Sequence, residues 1–423
     1  MEQKKSFICI DLKSFYASVE CVERGLDPFK TNLVVADPSR SKSTICLAIT
    51  PAMKSQGVKN RCRIHEIPKG LEYITAMPRM QLYIDYSARI YSIYLRYVSK
   101  EDIHVYSIDE CFMDVTNYLS LYHMTENEMA VELMRAVMEE TGITATAGIG
   151  TNLYLAKGAM DIVAKHVDDH IGILDEISFR KKLWTHQPLS DFWRIGSRTE
   201  KKLAGYGIHT MGDIARASIT SEDWLYKMFG IDAELLIDHA WGLESCRMSD
   251  IKSYHTEERS LSNGQVLMRN YSYEEAVVVV REMTDVLVLD LADKGLVTDS
   301  VTLWIAYDHK LERPSSHGTV KFDYLTNSSR SIMDGVENLY RQIVDRYTGI
   351  RRIEICANRV KVESYLQYNL FMDMEAVEKE KNLQKAVLSV QKRYGKNAIM
   401  RGANLLDCST YRERNGQIGG HRA

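Results

Sequence analysis

Proline is scarce in this sequence, with 7 in 423 residues, and glycine is held to 24. That excludes a Pro-rich spacer, a collagen repeat and a long low-complexity tail, and a hydrophobic share of 45% excludes disorder as the organising theme. Long apolar runs are also missing. The opening Met1-Glu2-Gln3-Lys4-Lys5 is polar, and the run from Phe7 to Ile10 stops at Asp11, too short for a secretory leader. No other run approaches the roughly 18 apolar residues of a membrane span. The eight cysteines form no C-x-x-C pair and several sit inside apolar runs, as small buried side chains do in a reducing cytoplasm. Charge of one sign is lacking too. With 54 basic and 57 acidic side chains the formal charge is -3, so a nucleic-acid reading has to rest on sites and not on the total.

Length alone allows about three or four compact units, at roughly 100 to 200 residues each. In the first, Ser6 to Leu12 reads as a short buried strand ending at Asp11, and Phe15 to Arg24 carries apolar residues at helical spacing. Strands at Ile103–Ile108 and Cys111–Val115 leave Asp109-Glu110 at the turn between them. A helix over Glu126–Glu140, stopped by Gly142, and a strand over Ile143–Ile149 complete a β-α-β-β-α-β sandwich, with Asn32 to Ala76 inserted as a lobe. From Gly172 to Glu244 the spacing is helical throughout. There, Trp193-Arg194-Ile195-Gly196, Lys201-Lys202 and Gly207-Ile208-His209-Thr210 resemble a helix-hairpin-helix module, whose backbone N–H groups meet a DNA phosphate; the module usually has a second glycine where Arg194 stands. Beyond a linker near Ser245–Tyr254, a strand at Arg259–Leu267, a capped helix from Ser272, strands at Ser300–Tyr307 and Thr319–Leu325, a helix over Arg330–Tyr347 and a strand at Ile350–Val360 repeat the same order. The remaining residues are polar and do not read as a domain. From Gln391 onward, Lys392, Arg393, Lys396, Arg401, Arg412, Arg414 and Arg422 face Asp407 and Glu413, which suits either a solvated surface or a phosphate contact.

Asp11 closes one strand and Asp109-Glu110 cap a hairpin, so a small sandwich brings three carboxylates to one sheet edge. Three acids sharing a site call for cations, and Mg²⁺ takes hard oxygen ligands from one or two carboxylates plus substrate phosphates. Two such ions about 3.5 to 4 Å apart serve an attacking hydroxyl and a leaving phosphate. On spacing alone, a polar turn and a helix N-cap account for the same three residues.

The wording of the motifs adds what spacing does not. Asp11-Leu12-Lys13-Ser14-Phe15-Tyr16-Ala17-Ser18-Val19-Glu20 resembles the D-x-D/K-x-F-F/Y-A-x-V-E opening of Y-family, translesion DNA polymerases, and Tyr106-Ser107-Ile108-Asp109-Glu110-Cys111-Phe112 resembles their palm motif. Gly148-Ile149-Gly150-Thr151-Asn152 with Leu155-Ala156-Lys157 and Asp161 is similar to the family's next helix. The resemblance spans roughly residues 6 to 362. It implies an α+β multidomain right hand: a ferredoxin-like palm (1–14 and 79–170), small fingers (15–78), a helical thumb with the helix-hairpin-helix (171–244), a linker (245–254), a β-α-β-β-α-β little finger (255–362) and a tail (363–423).

By the same resemblance Asp11, Asp109 and Glu110 are the catalytic carboxylates, with the Leu12 carbonyl a further ligand of two Mg²⁺ ions, and Tyr16 is the steric gate that excludes a ribose 2′-hydroxyl. Phe15, Tyr16, Thr50, Lys54 and Lys165 fall at dNTP-binding positions. In the fingers, Thr50-Pro51-Ala52-Met53-Lys54 replaces the common N-Y-E-A-R, so a point charge stands where Arg gives a bidentate fork, as in the bacterial UmuC-type branch. Lys165 maps to the second triphosphate lysine only with one inserted residue, since strict spacing lands on Ala164. Gly196, Lys201, Lys202 and Gly207 are implied to meet DNA. Gln367-Tyr368-Asn369-Leu370-Phe371 resembles the peptide by which bacterial polymerases dock on the sliding clamp through Gln367, Leu370 and Phe371, and packing back on the little finger is the alternative. The implied activity is template-directed synthesis on primed DNA from dNTPs in the cytoplasm, with bypass of damaged bases, and an accessory subunit or recombinase filament as a further partner. A catalytically silent DNA-binding protein of this fold and a nucleotide cyclase are the competing classes.

Overall fold

The fold is described by a computed structural model for residues 4–40, 43–254, 259–363 and 373–423. The chain divides into two units, 1–254 and 255–423.

The first unit is built on the buried strand β1 (Phe7–Leu12), followed by α1 (Phe15–Val22). The inserted lobe has its own sheet of β2 (Leu33–Val35), β3 (Ala48–Ile49) and β4 (Ile74–Ala76), with α2 (Pro51–Ser55) closing a small core of Val34, Cys46, Ile49, Met53, Val58 and Cys62. After α3 (Met80–Tyr94) come β5 (Ile103–Val105), β6 (Glu110–Asp114), the short α4 (Tyr118–Tyr122), α5 (Glu126–Thr141) and β7 (Ala145–Gly150). Thr125 caps α5 by accepting the Glu128 N–H, and Gly142 ends it at φ 70°, so both of its ends follow directly from the sequence. The main sheet has the order β5-β6-β1-β7, antiparallel throughout, which is the ferredoxin-like arrangement.

A fifth strand departs from the expected all-helical segment. After α6 (Leu153–Gly158), β8 (Ile171–Leu174) joins β7 in parallel, and Gly172 lets it pass under the helical backbone, because a Cβ there would stand 2.1 Å from the Ala159 carbonyl oxygen. The helices α7 (Glu176–Leu183), α8 (Ser197–Ala204), α9 (Met211–Thr220), α10 (Glu222–Phe229) and α11 (Asp232–Trp241) then pack around Phe179, Phe192, Leu203, Met211 and Ile214. The stretch expected to be a linker forms α12 (Met248–Ser253), and Met248 buries against Phe7, Cys9, Phe112 and Leu153.

The second unit keeps the expected order β9 (Arg259–Tyr271), α13 (Tyr273–Asp293), β10 (Leu296–Tyr307), β11 (Ser316–Thr326), α14 (Ser329–Ile343) and β12 (Ile350–Val362). Its strand order, β11-β10-β12-β9, differs from that of the first sheet. Val301, Leu303 and Ile305 point to a core shared with Val279, Met283, Val336 and Tyr340 of the two helices, and the alternate residues face away.

The polar tail is part of this unit. α15 (Met374–Tyr394) is followed by 3₁₀ turns, α16 (Tyr411–Asn415) and a hairpin of β13 (Gln417–Ile418) and β14 (His421–Arg422). The anchor is Glu282, 2% exposed on α13, which accepts hydrogen bonds from the Asn404 amide (3.2 Å) and the Thr410 N–H (3.1 Å). Lys392 pairs with Asp293 and Arg401 with Asp285, and Arg414 lies half-buried within electrostatic reach of Glu282 and Asp290. The basic tail thus meets the acidic face of α13, and these three cations are taken up inside the unit. Glu282→Ala leaves buried donors without an acceptor and is expected to lower the stability of this unit by about 3 kcal/mol. An earlier urea midpoint, with residues 395–415 opened to protease, would show it.

Candidate active site

Two strand ends converge here. Antiparallel pairing sets Asp11 opposite Glu110, and the Leu12 N–H donates to the Asp109 carbonyl at 2.9 Å, tying the end of β1 to the turn before β6. The turn is closed by the Tyr106 and Ser107 N–H groups, both on the Glu110 carbonyl (3.0 and 3.1 Å). The Ser107 hydroxyl donates to the Asp109 carboxylate at 2.6 Å. Leu12 is buried, so its carbonyl is what it offers to a site.

Burial pushes the Asp11 carboxyl up to about 7, and the charges of Asp109 and Glu110 push the same way. Glu110 is raised by burial as well, against the pull of Lys157. Lys157 Nζ lies 2.9 Å from Glu110 and 3.0 Å from Asp161, and the Cys9 thiol donates to Glu110 at 3.4 Å. Burial works against the charge on Lys157, and Asp161 and Glu110 outweigh it, so the ammonium is held well above its ordinary range. Asp11, Asp109 and Glu110 do meet at one sheet end, but Glu110 is drawn to a lysine, and among the described residues no three His, Cys, Asp or Glu side chains close into an ion-binding group. The donors still fit a hard divalent cation: all are carboxylate oxygens, and Asp11 is destabilised by its acidic neighbours in the way a cation would relieve.

Lys157 reaches Glu110 because α6 lies directly on the sheet. A Cβ at Gly148 would be 2.1 Å from the Ala156 carbonyl oxygen, so glycine is required for that approach. The helix then continues as a π turn over Ala159–Val163, which takes in one extra residue. Ala164, where strict spacing falls, is buried, whereas Lys165 is exposed. Lys165 and Lys54 are within electrostatic reach of each other: burial lowers Lys54, Lys165 adds to that, and Asp11 opposes it. Lys13, lowered by burial and by Lys54, joins the same group and was not singled out from sequence. Thr50 does not. It is fully buried with its hydroxyl oxygen accepting the Leu33 N–H at 3.1 Å, so it seats α2 and does not face a ligand. The Phe15 ring is also buried, leaving its backbone at the start of α1 as the part that can face a phosphate.

Tyr16 is half-buried, and its ring stacks on Tyr83 at 4.5 Å and 18°. Tyr83 is itself fixed: its hydroxyl donates to buried Glu20 at 2.7 Å, and Arg79 forks onto the same carboxylate at 2.9 and 2.8 Å. Glu20 belongs to the opening motif, but Tyr83 and Arg79 lie some sixty residues from it, and nothing in the local pattern marks Tyr83 as the backing of Tyr16.

In the helical segment, Gly196 caps α8, Gly207 turns at φ 77°, and Lys201 is exposed. Arg194 takes the module's glycine position at φ 68°, a left-handed conformation that costs a residue with a Cβ about 1 to 2 kcal/mol. Lys202 is engaged elsewhere, with Nζ donating to the Met228 carbonyl at the end of α10 (2.5 Å). Gln367, Leu370 and Phe371 lie outside the described residues.

Comparison with known proteins places this geometry. Residues 10–161 match the impB/mucB/samB family and residues 258–370 its C-terminal domain. The chain is 30% identical to DNA polymerase IV 2 of Bacillus subtilis (strain 168) over the full length of both, and 29% identical to the putative UV-damage repair protein UvrX of the same organism, over 99% of this chain and 98% of that protein. A solved Y-family DNA polymerase chimera, Dbh-Dpo4(243-245)-Dbh, shares the fold with a TM-score of 0.65 at 22% identity, over 84% of this chain and 99% of the other. Fold and relatives together define an α+β multidomain, DNA-directed DNA polymerase. Within that class, the chain belongs to the impB/mucB/samB family, the Y-family translesion polymerases. It binds primed DNA and dNTPs and depends on a divalent metal ion. No helix among the described residues is long and apolar enough to cross a membrane.

Proposed function

We propose that this polymerase adds dNMP to a primer using Asp11, Asp109 and Glu110, with the primer 3′-hydroxyl losing its proton, attacking the α-phosphorus and expelling pyrophosphate. What supports this most is the pairing of Asp11 with Glu110 beside the Leu12–Asp109 hydrogen bond, which sets the three carboxylates at one sheet end with Asp11 raised by burial and, after it, by its acidic neighbours. Two Mg²⁺ ions, held by these side chains and the Leu12 carbonyl, would supply Lewis acidity to the hydroxyl and the leaving phosphate. In this reading Lys157 neutralises Glu110 in the resting protein and keeps it folded against α6.

The remaining residues divide the substrate between them. Lys54 and Lys165 face the triphosphate, together with the backbone at Phe15, and Tyr16 on its Tyr83 support closes the space beside C2′ of the sugar. Gly196, Gly207 and Lys201 meet the duplex backbone. Palm (1–14 and 79–170), fingers (15–78), thumb (171–244) and little finger (255–362) are the functional division we favour, with 245–254 belonging to the first unit through α12 in place of a free linker, and Gln367, Leu370 and Phe371 are assigned to the bacterial sliding clamp. Bypass of damaged bases fits the relatives' names, cytoplasmic action fits the cysteine pattern, and the UmuC-type branch rests on Pro51 and Lys54.

Single-nucleotide primer extension tests the core of this reading. Asp109→Ala should abolish dNMP addition while primed-DNA binding stays largely intact; unchanged extension would remove the carboxylate assignment. Tyr16→Ala should admit ribonucleotides, and a dNTP-over-NTP preference equal to that of the parent would show that the ring is not the gate. Deleting residues 367–371 should cost clamp-stimulated synthesis and spare basal synthesis, whereas equal stimulation would assign those residues to packing.

A further inference from the structure

Tyr106 opens the turn that carries Asp109 and Glu110, and its own N–H is one of the two that close that turn. Its side chain is 46% exposed, so burial does not hold it. A hydrogen bond does. Trp193 Nε1 donates to the Tyr106 hydroxyl at 3.0 Å, and the two rings meet edge to face at 5.8 Å and 81°. Trp193 also lies 5.9 Å from Phe112, two residues past Glu110, and the Phe112 and Tyr106 rings meet at 5.8 Å. On its far side Trp193 stacks on His239 (6.3 Å, 17°), which lies flat on Tyr154 at 3.9 Å and is bonded to Glu244 at 3.0 Å.

The position of Trp193 in the chain gives this contact its meaning. It immediately precedes Arg194, held in the left-handed conformation, and stands three residues before Gly196, the cap of α8. One indole therefore touches the carboxylate turn and leads directly into the turn read as the DNA-phosphate grip. The Tyr106 ring is 6.0 Å from Lys157 Nζ, so the same phenol also flanks the cation on Glu110.

We infer that Trp193 is a positioning residue: its N–H fixes Tyr106, and through it the Asp109-Glu110 turn, in register with the backbone that holds the template-primer duplex. The inference rests on the carboxylate reading above. Small displacements of catalytic groups cost much of a rate while leaving binding intact, so the effect belongs in the insertion step.

The test is single-turnover dNTP insertion by the full chain on primed DNA, comparing the parent with Trp193→Phe, Tyr106→Phe, the double variant and Asp109→Ala. Trp193→Phe keeps an aromatic ring and removes the donor; Tyr106→Phe removes the acceptor. Each single variant should slow the maximal insertion rate about tenfold, as loss of one orienting hydrogen bond does. The half-saturating dNTP concentration, the Kd for primed DNA and the melting temperature should stay at parent values, and the double variant should be no slower than either single one. Parent-level rates in both single variants beside an inactive Asp109→Ala would overturn this inference alone. So would effects that multiply in the double variant, or a loss that follows DNA affinity or melting. An active Asp109→Ala would overturn the carboxylate reading and this inference with it.

Discussion

The ion pair of Glu110 with Lys157 is the contact on which the first unit turns. Both side chains are about 9% exposed, and a carboxylate and an ammonium leave water at such a cost that each tolerates burial through its partner. The pair reaches across from β6 to α6, and so it fixes how close that helix lies to the sheet. Gly148 and Gly172 follow from that closeness, because side chains there would meet helix backbone. Asp11 sits next to the pair in the sheet, where burial and the charges of Asp109 and Glu110 work against its ionisation, and a cation would relieve that.

The Tyr16 ring is backed by a related device. Glu20 is fully buried and satisfied by Tyr83, Arg79 and Arg24, and Tyr83 offers its ring to Tyr16. A half-exposed aromatic on a short helix would have several rotamers to choose from. Stacked on a phenol that is anchored at its hydroxyl, it has far fewer.

Much of this was legible in the sequence. The order of both sandwiches, the ends of α5 and the strand carrying Asp11 follow from period, caps and glycines, which are local signals. What escaped was non-local. β8 reads as part of a helical region until β7 supplies it with a partner, and α12 reads as a linker until Met248 finds the Phe7–Phe112 cluster. Thr50 matched a ligand position but is fully buried beneath α2, and Lys202 matched a DNA position but is spent on the end of α10. Matching a motif places a residue in the chain; which neighbours claim its polar atoms is decided by packing. The two carboxylates of the turn were visible, whereas the indole beside them, more than eighty residues away, carried no signal of its own.

The tail teaches the same lesson for charge and carries a consequence for DNA binding. Lys392, Arg401 and Arg414 look like a cationic extension when counted along the chain, yet Lys392 and Arg401 pair with acids of α13, and Arg414 donates to Asn263 within electrostatic reach of Glu282 and Asp290. Cations already engaged within the protein have less charge to offer a duplex, so these three contribute less to the slope of affinity against salt than their number along the chain suggests. The tail therefore helps to determine the shape of the second unit through the same side chains that give it its charge.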